Sequence, residues 1–324
     1  MFPYARHPGS VIFVDDDQGF VDVVHSVFSS KWNMKAFQRP REFIDHMLGK
    51  VAVAKDMEAY LQGSMERYKR KSSAAVEILR FWNAFPERYS MPVLAVLDYH
   101  MPFFNGLQTL ENCVGWTGQN LLLTGMADEV VVSNAFNNGL IDYYMPKQDA
   151  KLIKNLEIVI NKLISDPGRD SQRNWTAWYL SMQAEQNLIL AEPDVSQELF
   201  RYVGPDSEHV VIGDPFGVMT LGHAGGVKWL QLETASTLDA AADLAIKMGL
   251  SSADAQMIRI GRAITDARIK HALGIDEPPT LLPATFQLRL PRANETVYGS
   301  SFVLNAAGAP PPEMCFAAWR ARQH

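Results

Sequence analysis

The chain has 324 residues, 47% of them hydrophobic and 20% charged, with a formal net charge of −6 at pH 7. That length exceeds the usual ~150 residues per domain, so two domains are expected, and the composition excludes a disordered, collagen-like or mucin-like chain. The negative balance argues against a bulk surface that grips nucleic acid or anionic lipid, leaving only a local basic patch for such a role.

Cys113 and Cys315 are far apart and lack metal-ligand spacing, which speaks against a disulfide framework or zinc knuckle and for a reducing compartment. The stretch Met1–Ser10 lacks the basic-then-apolar order of a signal peptide, and no apolar run reaches the length of a membrane span. The cytoplasm is the expected location, with no membrane partner.

From Ser10 to about Asp166 short apolar runs alternate with helical patterns, as in a doubly wound parallel sheet. The predicted strands are Val11–Val14, Asn33–Phe37, Val93–Leu97, Asn120–Leu123 and Ile141–Met145. Five such strands suit a flavodoxin-like sheet of order 2-1-3-4-5, with ligands collecting at the carboxyl ends of the strands. Between Lys50 and Ser90 the chain is too long for a structureless loop. Met57, Tyr60, Leu61, Met65 and Tyr68, then Val76, Leu79, Phe81 and Trp82, recur at helical spacing, so a helical insertion broken near Lys69–Ser73 is expected. Lys69, Arg70 and Lys71 read either as a solvated helix end or as a patch that docks a partner.

The fifth helix, from about Asp149 to Ile164, carries Leu152, Leu156, Val159 and Leu163 on one stripe, with Ile153, Ile160 and Ile164 beside it. Asp166-Pro167-Gly168 ends it, and Asn174–Ala191 reads as a second long helix bearing Trp175, Trp178, Tyr179 and Met182. Two such apolar faces point either to a homodimer formed near the linker or to packing of both faces within the chain. The expected division is therefore a domain over 1–166 with the insertion at about 50–90, a linker and connecting helix over 167–192, and an α+β domain over 193–324.

In that last part Val210–Ile212, Gly217–Leu221 and Val227–Glu233 read as strands, with His223-Ala224-Gly225-Gly226 turning the last two into a hairpin. Thr237–Leu273 reads as helical with a break at Gly249–Ser252, and Phe286–Leu290 with Tyr298–Leu304 as a closing hairpin.

The informative pattern is where polar residues fall relative to the strands. Asp15, Asp16 and Asp17 follow the first strand, Asp98 the third, Thr124 ends the fourth and Lys147 follows the fifth. In a 2-1-3-4-5 sheet these carboxyl ends are neighbours, so the residues converge. Clustered carboxylates repel one another unless a cation is present, and hard oxygen ligands suit Mg²⁺. A carboxylate beside such an ion, with an ammonium and a hydroxyl close by, can attack phosphorus and become an aspartyl phosphate. Asp17 is expected to cap the following helix.

Residues 10 to 150 resemble the receiver domain of two-component response regulators. The stretches that carry the resemblance are Val14-Asp15-Asp16-Asp17, Asp98-Tyr99-His100-Met101-Pro102-Phe103-Phe104-Asn105-Gly106, Leu123-Thr124-Gly125 and Tyr143-Tyr144-Met145-Pro146-Lys147. It implies Asp98 as phosphoacceptor, phosphate donated by a histidine kinase, and Mg²⁺ held by Asp15, Asp16, Asp98 and the backbone carbonyl of His100. It also implies that Thr124 and Lys147 contact the phosphoryl group, and that an aromatic couples to the threonine: Tyr144 by its spacing from the lysine, or Tyr143. One departure is that Pro146 precedes Lys147 and Gln148 follows it, whereas receivers usually have proline after the lysine, so the last loop must be held differently. The run Leu123–Glu129 through Ala135–Leu140 to Lys147–Asp149, with the insertion, is similar to regulators with a non-standard output domain, the Legionella-type quorum-sensing response regulators among them.

The second half carries no cyclase, phosphodiesterase, P-loop or nucleophile-elbow signature. His209, His223 and His271 have no partner at ligand spacing and read as core or surface residues. Leu238–Ile264 has the look of a helix-turn-helix, with Arg259 and Arg262 on its second helix. Residues 171–324, however, hold 12 Lys and Arg against 16 Asp and Glu, so DNA binding is disfavoured, and the helix pair is expected to pack through Leu244, Met248, Met257 and Ile260. The expected output is binding of a protein or small ligand, with DNA regulation or an unrecognised catalytic output as alternatives; self-phosphorylation is the only reaction expected of the chain.

Overall fold

The first element is a two-residue strand, β1 (Ala5–Arg6), which does not join the parallel sheet that follows it but pairs antiparallel with a strand of the C-terminal half, Ala5 opposite Val210 and Arg6 opposite His209. This is seen in a computed structural model that describes residues 2–70, 72–125, 129–165, 182–204, 207–290 and 295–323. The chain divides into two units that are discontinuous in sequence. One is Gly9–Ala59 with Glu87–Asn174, and the other is Met1–Pro8 with Tyr60–Pro86 and Trp175–His324. The first residues are drawn to the C-terminal unit by the β1 ladder and by Phe2, which is fully buried there.

The parallel-sheet unit runs β2 (Ser10–Val14), α1 (Gln18–Phe28), β3 (Asn33–Phe37) and then α2 (Pro40–Lys69) as far as Ala59. The insertion is thus a prolongation of the second helix, followed after the expected break by α3 (Ala74–Ala84), whose N-cap Ser73 accepts from Val76 N; from Tyr60 to Pro86 it belongs to the C-terminal unit, and the parallel-sheet unit resumes at Glu87. There follow β4 (Pro92–Asp98), α4 (Gly106–Glu111), β5 (Gln119–Thr124), α5 (Glu129–Asn137), β6 (Tyr143–Pro146) and α6 (Leu152–Ser165). The strand order is β3-β2-β4-β5-β6, all parallel. In sequence order this is the 2-1-3-4-5 arrangement.

Because side chains alternate across a strand, the apolar runs feed two cores. Val11, Phe13, Val96, Leu121, Leu123 and Met145 meet α1 and α6, while Ile12, Val14, Ala95, Leu97 and Leu122 meet Phe43 and Met47 of α2, α4 and α5. Each such side chain, fully buried, contributes roughly 1.5–3 kcal/mol. Leu152, Leu156, Val159, Ile160 and Leu163 of α6 all lie in the first of these cores. The stripe that pointed to a homodimer is therefore covered by the sheet of its own chain.

The C-terminal unit contains α7 (Ala184–Ala191), α8 (Pro193–Val203), β7 (Glu208–Gly213), β8 (Phe216–Leu221) and β9 (Val227–Thr234). Its later elements are α9 (Leu238–Lys247), α10 (Ser252–Arg259), β10 (Ala263–Thr265), α11 (Ala267–Leu273), β11 (Leu281–Pro283), β12 (Phe286–Leu290), β13 (Glu295–Leu304) and α12 (Phe316–Ala321). Six strands form an antiparallel sheet of order β1-β7-β8-β9-β13-β12. Val211, Val218, Leu230, Leu232 and Val297 on one face pack against Ile189, Leu190, Val195, Leu199 and Val203 of α7 and α8.

Three expectations change here. Helix α7 starts at Ala184, after Gln183 at its N-cap, so an unbroken helix over 174–191 does not form; Trp175, Trp178 and Tyr179 lie outside the described residues. The helical stretch to Leu273 is interrupted a second time, by β10, which pairs with β11. The α9–α10 pair buries Ala241, Ala242, Ala245 and Ala255, small residues that let the helices approach, together with Ile258, and leaves Met257 and Ile260 exposed.

Candidate functional site

Every predicted site residue except Tyr144 lies at or just beyond the carboxyl end of a strand of the parallel sheet. Asp15 follows β2, Asp98 ends β4, Thr124 ends β5 and Lys147 follows β6. Carboxylate oxygens of Asp15, Asp16 and Asp98 lie within 4.8 Å of one another. Lys147 Nζ stands 2.7 Å from Asp15 Oδ2 and 3.2 Å from Asp98 Oδ2, so one ammonium serves two carboxylates. Asp15, Asp98 and Thr124 are buried and Asp16 is exposed.

Burial pushes the Asp15 carboxyl above the usual carboxylate range, against the pull of Lys147, and the nearby Asp98 charge adds to the rise. Lys147 is held above its ordinary value: burial works against its charge, but the two carboxylates outweigh that. Asp98 Oδ1 is buried and meets no hydrogen-bond donor among the described residues. An orphaned carboxylate oxygen beside two further acidic groups is a donor set that fits a hard divalent cation such as Mg²⁺.

Local geometry explains several residues of the motif. Asp17 caps α1, accepting from Gly19 N at 2.9 Å and Phe20 N at 3.3 Å, while its own N–H donates to Asp15 Oδ1 at 3.0 Å and fixes that carboxylate. At Gly106 a Cβ would lie 2.5 Å from the Asp98 carbonyl oxygen and 2.9 Å from Leu122 Cδ1, so only glycine lets α4 start this close to the strand end. The loop after β6, without a proline following the lysine, is held by Lys147 N–H donating to Thr124 O at 2.8 Å and by Pro146 lying opposite Thr124. His100 and Tyr144 are exposed; Tyr144 is 53% accessible and Tyr143 less so.

Two residues escaped the sequence reading. The Phe20 ring lies 4.9 Å from Lys147 Nζ, a cation–π contact that steadies the ammonium. The signal for it was an aromatic in the first turn after the acidic run. Phe103 has φ 72° and is 98% accessible, a conformation costly for a phenylalanine and invisible in sequence.

The C-terminal histidines behave as core or surface groups. His209 is buried with Nε2 3.1 Å from Pro3 O, and burial lowers its pKa to about 3; the His223 ring packs on Phe316. Arg259, proposed for a reading helix, is paired with Asp239 and Asp243 of α9. Among the described residues no helix is long and apolar enough to cross a membrane.

No protein-family model and no curated protein matches the sequence. Among solved structures the chain resembles the Legionella pneumophila response regulator LqsR, with a TM-score of 0.72 and 18% identity over 99% of this chain and 95% of that one. A CheY-like response regulator receiver domain protein from Methanospirillum hungatei is also matched, with a TM-score of 0.32 and 15% identity over 50% of this chain and 97% of that one. The chain thus shares the fold of the Legionella response regulator along almost its whole length, a flavodoxin-like parallel sheet accompanied by an α+β sheet region.

Proposed function

We propose that the chain is a response regulator of a two-component system, in which Asp98 takes a phosphoryl group from a histidine kinase. The observation that carries this reading is the ammonium of Lys147 set between Asp15 and Asp98, with Asp16 alongside. An oxygen of Asp98 attacks phosphorus, the P–N bond of the phosphohistidine breaks, and the imidazole leaves with the electron pair of that bond. Lys147 neutralises a phosphoryl oxygen and Thr124 donates its hydroxyl to another. Asp15, Asp16, Asp98 and the carbonyl of His100 would hold Mg²⁺, which when bound neutralises charge on the transferring oxygens. Tyr144 is the aromatic that responds to Thr124.

The output is read as phosphorylation-dependent binding of a protein or small ligand. The ion pairs of Arg259 weigh against DNA, because they spend the cation a reading helix would need. The resemblance to quorum-sensing regulators makes an intercellular signal the input of this reading, and the cytoplasm its location. Intact-mass measurement after incubation with phosphoramidate and Mg²⁺ tests it: one phosphoryl adduct is expected on the unsubstituted chain and none on Asp98→Asn. An unmodified chain under these conditions would mean a receiver fold that no longer accepts phosphate.

A further inference from the structure

Within the C-terminal unit, the prolonged α2 and the following α3 border a groove that the phosphoacceptor site does not use. Tyr60, Val76, Leu79, Arg80 and Asn83 line it on one side, and Ala307 and Gly308 on the other, around a volume of about 480 Å³. That is within the ~300–1,000 Å³ of small-ligand sites. Val76 and Leu79 make an apolar floor, and Asn83 Nδ2 donates to Leu79 O and Gly308 O, both at 2.8 Å, fixing the far wall to α3.

The charges here do not balance. The Glu77 carboxylate is fully buried, accepts from Ser72 Oγ at 2.7 Å, and is shared by two guanidinium groups: Arg67 Nε at 2.9 Å and Arg80 Nη1 at 2.7 Å. Neither arginine pairs with any other acid among the described residues. One negative charge thus faces two positive ones, and a net positive charge stands at the groove, carried by Arg80 on its lining and by Arg67 over the Tyr60 ring at 5.2 Å. A carboxylate, phosphate or sulfonate would complete the set, and an apolar body would cover the floor.

We infer that this groove binds a small organic anion, its acidic head on Arg80 and its apolar body against Val76, Leu79 and Ala84. The ligand class follows from the surplus guanidinium and the apolar floor together, and the site is independent of Asp98.

The test uses the full chain and two dyes of one skeleton, 8-anilinonaphthalene-1-sulfonate and its uncharged counterpart N-phenyl-1-naphthylamine. The sulfonate is expected to bind saturably at one per chain, and the uncharged dye about tenfold more weakly or worse, as one charge-assisted contact implies. Arg80→Gln should weaken the sulfonate to the same extent. Ala84→Trp, at an exposed position where the added ring fills the groove without disturbing the core, should abolish binding while leaving the unfolding midpoint unchanged. Equal affinity for the two dyes, undiminished binding in either variant, or no saturable binding at all would overturn the inference.

Discussion

Tyr144 and Thr124 face the same side of the five-stranded sheet. Tyr144 lies opposite Leu122, and Thr124, two residues further along β5, lies opposite Pro146, whereas Leu123 and Met145 turn together into the other core. Tyr143 shares the side of Met145. In the proposed reading, a threonine drawn toward a phosphoryl group on Asp98 would vacate space on the side of Tyr144 rather than on that of Tyr143. Tyr144→Ala should leave Asp98 phosphorylation intact and abolish the change in hydrogen exchange of β6 and α6 that beryllofluoride induces. If Tyr143→Ala removes that change and Tyr144→Ala preserves it, the assignment of the aromatic is wrong.

Gly106→Ala tests how tightly α4 is set against the strand end. The new Cβ would meet the backbone oxygen of Asp98, which cannot rotate away, so the variant should lose roughly 1–3 kcal/mol of stability and accept phosphate more slowly. Urea unfolding and adduct kinetics read both; a stable, fully active variant would show that the helix start can shift freely.

Asp16 is exposed and belongs to the acidic cluster, so its role can be separated from folding. Asp16→Ala should unfold at the same urea concentration as the unsubstituted chain yet form the Asp98 adduct at least about tenfold more slowly at limiting Mg²⁺, the order of one lost charge contact in a transition state. Unchanged kinetics across a Mg²⁺ titration would remove Asp16 from the site.

Glu233 gives the C-terminal unit a pH dependence. Burial pushes its carboxyl up to about 7, although Arg268, Thr237 and Gln231 all favour the ionised form. The folded chain then holds this proton more tightly than the unfolded chain, whose Glu titrates near 4.5. Stability is lost as pH rises from about 4.5 through 7, by at most about 1.4 kcal/mol per unit. In Glu233→Gln that slope should vanish from urea midpoints taken between pH 5 and 8. An identical slope in both proteins would place the titration elsewhere.

What could be read from sequence was what is local. Val11–Val14 and Val93–Leu97 are apolar at nearly every position because helices cover both faces of a parallel sheet, and Asp15, Asp98, Thr124 and Lys147 punctuate strand ends where chemistry collects. Long-range pairing left no such mark. Ala5–Arg6 is too short to show a period, yet it sits at the edge of β7; α8 begins with Pro193, a residue that breaks a helical pattern as readily as it starts one; β10 spans three residues. Gly49 and Gly63 weakened the helical pattern of α2, hiding that it runs unbroken from Pro40 to Lys69. The apolar stripe of α6 left two partners open, a second copy or the chain's own sheet, and periodicity alone does not choose between them; the sheet covers it.

In the proposed reading Asp98 is the residue modified, and chemical trapping reads that position directly. After treatment with phosphoramidate and Mg²⁺, borohydride reduction converts an aspartyl phosphate to homoserine, which peptide mass spectrometry locates. Homoserine at position 98 alone is the expected result; homoserine at Asp15 or Asp16, or at no position, would mean that Asp98 is not the phosphoacceptor.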